Sequence, residues 1–420
     1  MNAIVDLESE NSHVEQTSEF STGWRIILAS FFGIAVGLTA LPFYTYGVFA
    51  DPLQESFGWS RGAVQLPMLF QTIGVLIALP YVGWAADKYG ARPLALISLC
   101  LYFIAFSALS LIGENITQYY ITAFFIGFAG AGTTPITWTK AINGAFNRNR
   151  GIALGLALMG TGATGFIAPP AANFFIEAYG WRNAYLLLAA IPAVIGFPIV
   201  FAFFREKMSN VSTSATDLTG LDFKSAVMSL KFFIIAVAFL VISFGIGGII
   251  PNLFPLFTGH GFAPAKAAEI LSVIGLSVIV GRLVTGFLLD RYWAPLIAAG
   301  LMALPALSSL LLVSNPTDLV FVYAATILVG LAAGAEFDII AYLASRYFGL
   351  LNYSKIYSML YAAFAIGASA APAVFGLVFD RSGSYDPILM VSAGLLVAAS
   401  ASLLLLGRYP VFDTDPEARN

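Results

Sequence analysis

Adding 203 to a residue number in the first half of this chain repeatedly lands on its twin in the second half. Pro52-Leu53 becomes Pro255-Leu256, Gly58 becomes Gly261, and Gly83 and Asp87 become Gly286 and Asp290. Tyr120 and Gly127 become Tyr323 and Gly330, Ala168-Pro169 becomes Ala371-Pro372, and Gly180 becomes Gly383. A single register held over so long a stretch marks a duplicated structural unit rather than scattered glycines. In a membrane chain, a parallel repeat is the architecture of two half-bundles that rock about a central site. Transport is the function class this favours.

The composition requires that membrane. Hydrophobic residues make up 59% of the chain and charged residues only 10%, with a mean hydropathy of +0.85, which excludes a water-soluble globule. Twelve apolar runs reach the length of about 20 residues that a helix needs to cross the hydrocarbon. They fall at 24–50, 61–86, 93–113, 117–142, 151–178, 182–204, 232–258, 265–289, 294–313, 317–345, 356–379 and 386–407. Six lie in each half, and their continuity predicts helices rather than the alternating strands of a barrel. The expected fold is therefore all-α, with twelve transmembrane helices in two six-helix bundles. The bundles span 24–204 and 232–407 and are joined by a polar linker over 205–231.

With the N-terminus placed in the cytoplasm, only four basic residues (Arg61, Arg182, Lys266 and Arg381) fall outside, while Lys140 and Arg282 lie within helices and all the others fall inside. The reverse orientation contradicts the positive-inside rule. Both termini are thus expected in the cytoplasm, in a multi-pass protein of a bacterial inner membrane. Residues 1–23, rich in Asp and Glu, and 408–420 read as cytoplasmic tails, the first disordered and without a signal peptide. Cys100 sits in an apolar run and reads as packing. His13 and His260 give no metal cluster, so no metal or cofactor is expected. The net charge of -3 without basic clusters argues against nucleic acid. Short connections leave no room for a soluble catalytic domain, and no nucleophile–base set lies in the helices, so an enzyme is not expected. A monomer is. Pro169-Pro170 and Pro372 are expected to break the fifth and eleventh helices.

After the second run the chain reads Gly83-Trp-Ala-Ala-Asp87-Lys88-Tyr-Gly90-Ala-Arg92-Pro93, and Gly286-Phe-Leu-Leu-Asp290-Arg291 is its degenerate copy. The first segment resembles the G-x-x-x-D-[RK]-x-G-x-[RK] signature of the major facilitator superfamily. That resemblance implies a latch between the halves in the outward-facing state: Gly83 for close helix contact, Asp87 accepting hydrogen bonds, and Lys88, Gly90 and Arg92 completing the turn. Asp290 and Arg291 form a weaker copy, because the later glycine and basic residue are missing. Phe146-Asn-Arg148-Asn-Arg150-Gly-Ile-Ala-Leu-Gly155 and Phe57-Gly58-Trp59-Ser60-Arg61 are similar to segments of the monocarboxylate and oxalate:formate-like branch, bacterial type.

The charges most costly in lipid are Lys140, Arg282, Glu336 and Asp338. Arg282 lies eight residues before Asp290, about 12 Å from the cytoplasmic end of its helix. A guanidinium there offers a two-point seat for a carboxylate, and the branch resemblance implies that an eighth-helix arginine binds the substrate anion. The alternative is a structural ion pair with Glu336 or Asp338. The chain departs from the branch in two places: the eleventh helix carries no lysine, and Val278 replaces the acid one turn before the arginine found in animal relatives. Lys140 is the candidate for a second positive charge, or else it snorkels to the interface.

Glu336 and Asp338 are two residues apart and point about 200° apart on a helix. Lys140 maps onto Leu343, seven residues after Glu336, which puts Glu336 on the cavity side as the proton-coupling candidate. Asp338 is the second such candidate. It shares a stripe with Tyr342, itself a substrate-binding candidate, and is expected to pair within the C-terminal half. The expected function is secondary active transport of a small organic anion, a monocarboxylate or aromatic acid, with protons. Proton-driven efflux of amphipathic compounds is the alternative within transport, and a non-transporting receptor of the same fold is the alternative outside it.

Overall fold

The computed structural model describes residues 2–146, 149–205, 219–314, 316–410 and 412; the side chains at 2–18, 87, 143, 144 and 150 lie outside the description. Among these residues there are sixteen α-helices and no strands. In the first half they are α1 (Asn2–Ala35), α2 (Leu41–Phe57), α3 (Arg61–Gln65), α4 (Pro67–Tyr89), α5 (Ala91–Ser107), α6 (Ile116–Gly130), α7 (Pro135–Ala145), α8 (Arg150–Ile191) and α9 (Phe197–Phe203). In the second half they are α10 (Phe223–Val227), α11 (Leu230–Gly259), α12 (Pro264–Leu289), α13 (Ala294–Ser314), α14 (Leu319–Phe348), α15 (Tyr353–Ser382) and α16 (Asp386–Ser402).

Nine helical stretches among the described residues are long and apolar enough to cross a membrane. One of them, Gly151–Phe203, is two crossings, because α8 turns back at Gly180, whose φ of 78° suits a glycine. The expected first and fourth crossings are each split. Between α1 and α2 the chain unwinds over 36–40, and between α6 and α7 it unwinds after Ala131–Thr133. Pro42 and Pro135 stand in the first turn of α2 and α7, where a missing N–H costs least. The two breaks meet: the Leu38 N–H donates to Thr133 Oγ1 at 3.0 Å, which satisfies a backbone group freed by the break. With these two counted, the twelve spans are complete.

The predicted breaks at Pro169-Pro170 and Pro372 do not form. Both segments stay helical through the prolines, because neighbouring helices can absorb the freed carbonyls. In the stretch expected as a tail, 1–23, α1 is described from Asn2 and runs directly into the first span. Its last part is held in place by packing and hydrogen bonds. Glu19 Oε2 accepts from the Asn149 backbone N–H and Nδ2 at 3.1 and 2.9 Å, and the Phe20 and Phe146 rings lie 5.5 Å apart.

The repeat is visible in backbone detail. Gly58 and Gly261 are both left-handed, at φ 68° and 89°, and so are Gly180 and Gly383, at 78° and 74°. Asn115 caps α6 through Thr117 N, and its repeat partner Asp318 caps α14 through Val320 N. A Cβ on Gly127 would meet the Gln71 backbone, and one on Gly330 would meet Ile274, the repeat partner of Gln71. Such glycines bring helix backbones into close contact where no hydrophobic effect drives them together. The halves meet through α8 on α12, α2 on α11, and α3 with α4 on α15. At the crossing of α8 and α12, a methyl on Gly275 would collide with the backbone of Phe166 and Gly162.

Candidate functional site

The two ends of the molecule differ. One end, called here the linker face, carries the connection between the halves. Its last described part, Thr219–Leu221, bonds to the end of α14: Leu221 N–H to Phe348 O at 2.9 Å and Leu350 N–H to Thr219 O at 2.8 Å. At the opposite, far face, a network joins the halves. Asp380 at the end of α15 accepts from the backbone N–H groups of Arg61 and Gly62, both at 2.9 Å. The Arg61 guanidinium donates to Pro255 O at 3.3 Å and Tyr385 Oη at 3.2 Å, lies 3.8 Å from Asp51, and stacks 4.0 Å over the Phe379 ring. Below it, Gln65 Nε2 donates to Asn252 Oδ1 at 3.3 Å, and Tyr385 donates to the same oxygen at 3.0 Å. Thr258 donates to Asp51 at 2.7 Å. These contacts close the far face.

The linker face carries the motif residues. A Cβ on Gly83, Gly155 or Gly286 would meet nothing within 4 Å. Of the motif residues there, the Asp87 side chain lies outside the described residues. Lys88 Nζ lies over the rings of Trp84 and Tyr89 on its own helix, at 4.9 and 5.2 Å. Arg92 donates to Phe201 O at 2.8 Å, within its own half. Gly90 has φ 87°, the left-handed turn between α4 and α5. Asp290 and Arg291 are exposed, the guanidinium over Phe287 of the same half at 3.7 Å.

Between the two faces lies a buried polar cluster. α12 presents Arg282, only 6% exposed, toward α14. Its Nε lies 3.4 Å from Asp338 Oδ2 and 3.5 Å from Gly334 O. Its Nη1 is buried and has no hydrogen-bond partner. Glu336 is 6% exposed and its Oε2 also lacks a partner, whereas the Asp338 side chain is 28% exposed. An unpaired buried donor on a guanidinium and an unpaired carboxyl oxygen are each costly. Their coexistence beside an ion pair marks a place prepared for something else.

Three tyrosines complete the cluster. Tyr44, on α2 just past the broken part of span 1, is close enough to Glu336 and Arg282 for their charges to act on it. Tyr361 stands in that relation to Glu336, and Tyr357 to Asp338 and Arg282. Tyr44 belongs to the first half, so the cluster straddles the two.

The structure thus brings Arg282, Glu336 and Asp338 together, and pairs Asp338 within the C-terminal half through Arg282. Tyr342 is half-buried one turn beyond Asp338, toward the linker face. Lys140 is half-buried on α7. Sequence reasoning missed Tyr44, Tyr357, Tyr361 and the Arg61–Asp380 network. Of these, only Tyr357 and Tyr361 had any signal: a helical spacing of four on α15 that also fits ordinary core. Among the described residues, no three His, Cys, Asp or Glu side chains group as metal ligands.

Residues 32–352 match the Major Facilitator Superfamily. Monocarboxylate transporter 13 of Bos taurus is 25% identical over 401 residues, covering 93% of this chain and 90% of that protein. The probable sulfoacetate transporter SauU of Cupriavidus necator is 24% identical, covering 88% and 91%. Among solved structures, a bacterial homolog of the human lysosomal transporter Spinster, crystallised in an inward-facing and unoccupied conformation, superimposes with a TM-score of 0.64. It is 15% identical and covers 92% of this chain and 95% of that one.

Proposed function

The chain belongs to the Major Facilitator Superfamily, in the branch of the monocarboxylate transporters, and on that premise we propose that it carries a small organic monocarboxylate across the membrane together with protons. The observation that carries this reading is the buried Arg282 Nη1 with no partner. Asp338 occupies the Nε side of the guanidinium, which leaves a donor edge for a substrate carboxylate. A bound anion would satisfy that edge in a setting where a charged hydrogen bond is strong. Names among the relatives, monocarboxylate and sulfoacetate transporters, support an anionic substrate.

In this reading the linker face is cytoplasmic, in a bacterial inner membrane, as the basic residues require. With the Arg61–Asp380 network shut on the outer side, this reading takes the structure as the inward-facing state, in which Lys88 and Arg92 make their contacts within the first half. Alternating access would open the outer network and close the linker face while α8 and α12 stay in contact at Gly162 and Gly275. Glu336, beside the substrate edge and without a partner at Oε2, takes and releases the coupled proton.

The test is Arg282→Lys in proteoliposomes. Charge is kept but the planar fork is lost, so uptake across a panel of acetate, lactate, pyruvate and benzoate should fall at least tenfold with normal reconstitution. Parental uptake by the lysine variant would remove Arg282 from the substrate site.

A further inference from the structure

A ladder of stacked rings runs along α15. Tyr353 and Tyr357 have centroids 5.7 Å apart with an interplanar angle of 15°, and Tyr357 and Tyr361 lie 6.4 Å apart at 29°. Tyr361 continues to Phe364 at 5.9 Å and 24°, with Phe337 of α14 closing the inner end at 6.1 Å from Tyr361 and 4.8 Å from Phe364. Steps of four residues keep these side chains on one helical face. Tyr353 is in the first turn of α15, at the linker face, so the ladder leads from that face inward.

Two observations separate this ladder from ordinary core. Its three tyrosines are only half-buried, while Phe364 at its inner end is buried. The ladder also faces α14 rather than lipid, because the Tyr361 ring lies 6.1 Å from that of Phe337 and Tyr357 stacks on Tyr361 along the same face. The charged seat on α12 and the half-buried ring ladder on α15 therefore both border α14, which carries Glu336, Phe337 and Asp338.

We propose that this ladder receives an aromatic ring of the substrate, so that the transported anions are aryl carboxylates: the carboxylate on the free edge of Arg282, the ring against Tyr357 and Tyr361. This deepens the monocarboxylate reading and rests on it. Offset stacking adds a specific attraction beyond the area buried. A ring of equal size without π electrons gains the burial but not that increment.

The probes are phenylacetate, cyclohexylacetate and propanoate, titrated calorimetrically into the purified full-length protein. Phenylacetate should bind roughly two- to tenfold tighter than cyclohexylacetate, the range expected from one stacked ring. Tyr361→Leu and Tyr357→Leu should bring that ratio toward one and weaken phenylacetate more than propanoate, while Tyr361→Phe keeps the ratio. Equal binding of the two ring acids by the parent overturns the proposal without any variant, and so does an unchanged ratio in both leucine variants. If propanoate alone binds, and loses affinity in Arg282→Lys, the ladder is excluded while the Arg282 seat stands. If no carboxylate binds at all, the seat itself fails and the ladder falls with it.

Discussion

Replacing Arg61 with alanine should open the far face. The guanidinium is mostly covered, at 15% exposure, and gives up hydrogen bonds of 3.3 and 3.2 Å, a stacking contact at 4.0 Å and a loose ion pair at 3.8 Å. Long hydrogen bonds of this kind contribute about 0.5 kcal/mol each, the ring contact about 1, and a partly exposed ion pair almost nothing. The loss is about 2 kcal/mol, or roughly 30-fold in the balance of states. The backbone N–H of residue 61 still reaches Asp380, so part of the seal survives. These contacts join the two halves, so opening the far face breaks them and the whole loss acts on the conformational balance. A closed-to-open ratio of about 99:1 would become about 3:1.

Distances between spin labels read this directly. Glu114 and Thr317 are exposed repeat partners at the far ends of the two halves, and the free, exposed Cys100 is first replaced by serine. With Glu114→Cys and Thr317→Cys labelled, Arg61→Ala should raise a longer-distance population from a trace to roughly a quarter of the molecules. A distance distribution identical to the parent would show that the Arg61 side chain does not hold the far face shut.

Four further substitutions, in two pairs, test the interior. Glu336→Gln should abolish accumulation driven by a pH gradient while substrate exchange persists, whereas Asp338→Asn, which breaks the pair with Arg282, should destabilise the protein by about 1–2 kcal/mol after discounting for its exposure; proteoliposome uptake and thermal melts separate the two, and loss of coupling in Asp338→Asn alone would exchange the roles. Gly275→Ala should cost about 1–3 kcal/mol from overpacking against the backbones of Phe166 and Gly162, with Gly286→Ala, open within 4 Å, near neutral in the same melt; equal effects at the two sites would deny that α8 and α12 need the close crossing.

What the sequence discloses is what local rules control. The left-handed turns at Gly58, Gly261, Gly180 and Gly383 need glycine wherever they occur, so the duplication left a mark that survives divergence elsewhere. Arg282, Glu336 and Asp338 stand out because charge in a membrane is expensive. The far-face network has neither kind of mark. Arg61 and Asp380 are 319 positions apart, and the repeat partner of Arg61 is Pro264, so the register gives no hint of its role. Pro169, Pro170 and Pro372 misled for a related reason: a proline removes one hydrogen bond, but whether the helix breaks depends on neighbours that sequence does not display. Pro42 and Pro135 coincide with breaks because glycines and threonines beside them offer the backbone other partners.

The repeat also shows how one level of the fold is used differently in each half. Adding 203 to Thr133 and Pro135 gives Glu336 and Asp338. In the first half, this level is where span 4 breaks and Thr133 accepts the Leu38 N–H of the broken span 1. In the second half, α14 runs unbroken through it and carries the two acids. The counterpart of Pro42 is Gly245, within the continuous α11. A symmetric ancestor cannot place a two-point seat for an anion and an acid at one level in both halves without doubling the buried charge. Divergence resolves this by leaving the first half with polar backbone and hydroxyls and concentrating ionisable groups in the second. Tyr44, just past the break in span 1, then reaches the charges from the other side. Rocking the halves would therefore move the first-half wall past a charge cluster fixed on α12 and α14. In the proposed cycle the guanidinium would keep the Asp338 partner it has here, while the substrate edge would gain or lose its first-half neighbours. That is a switch in which the positive seat itself need never be left without a counter-charge in the membrane interior.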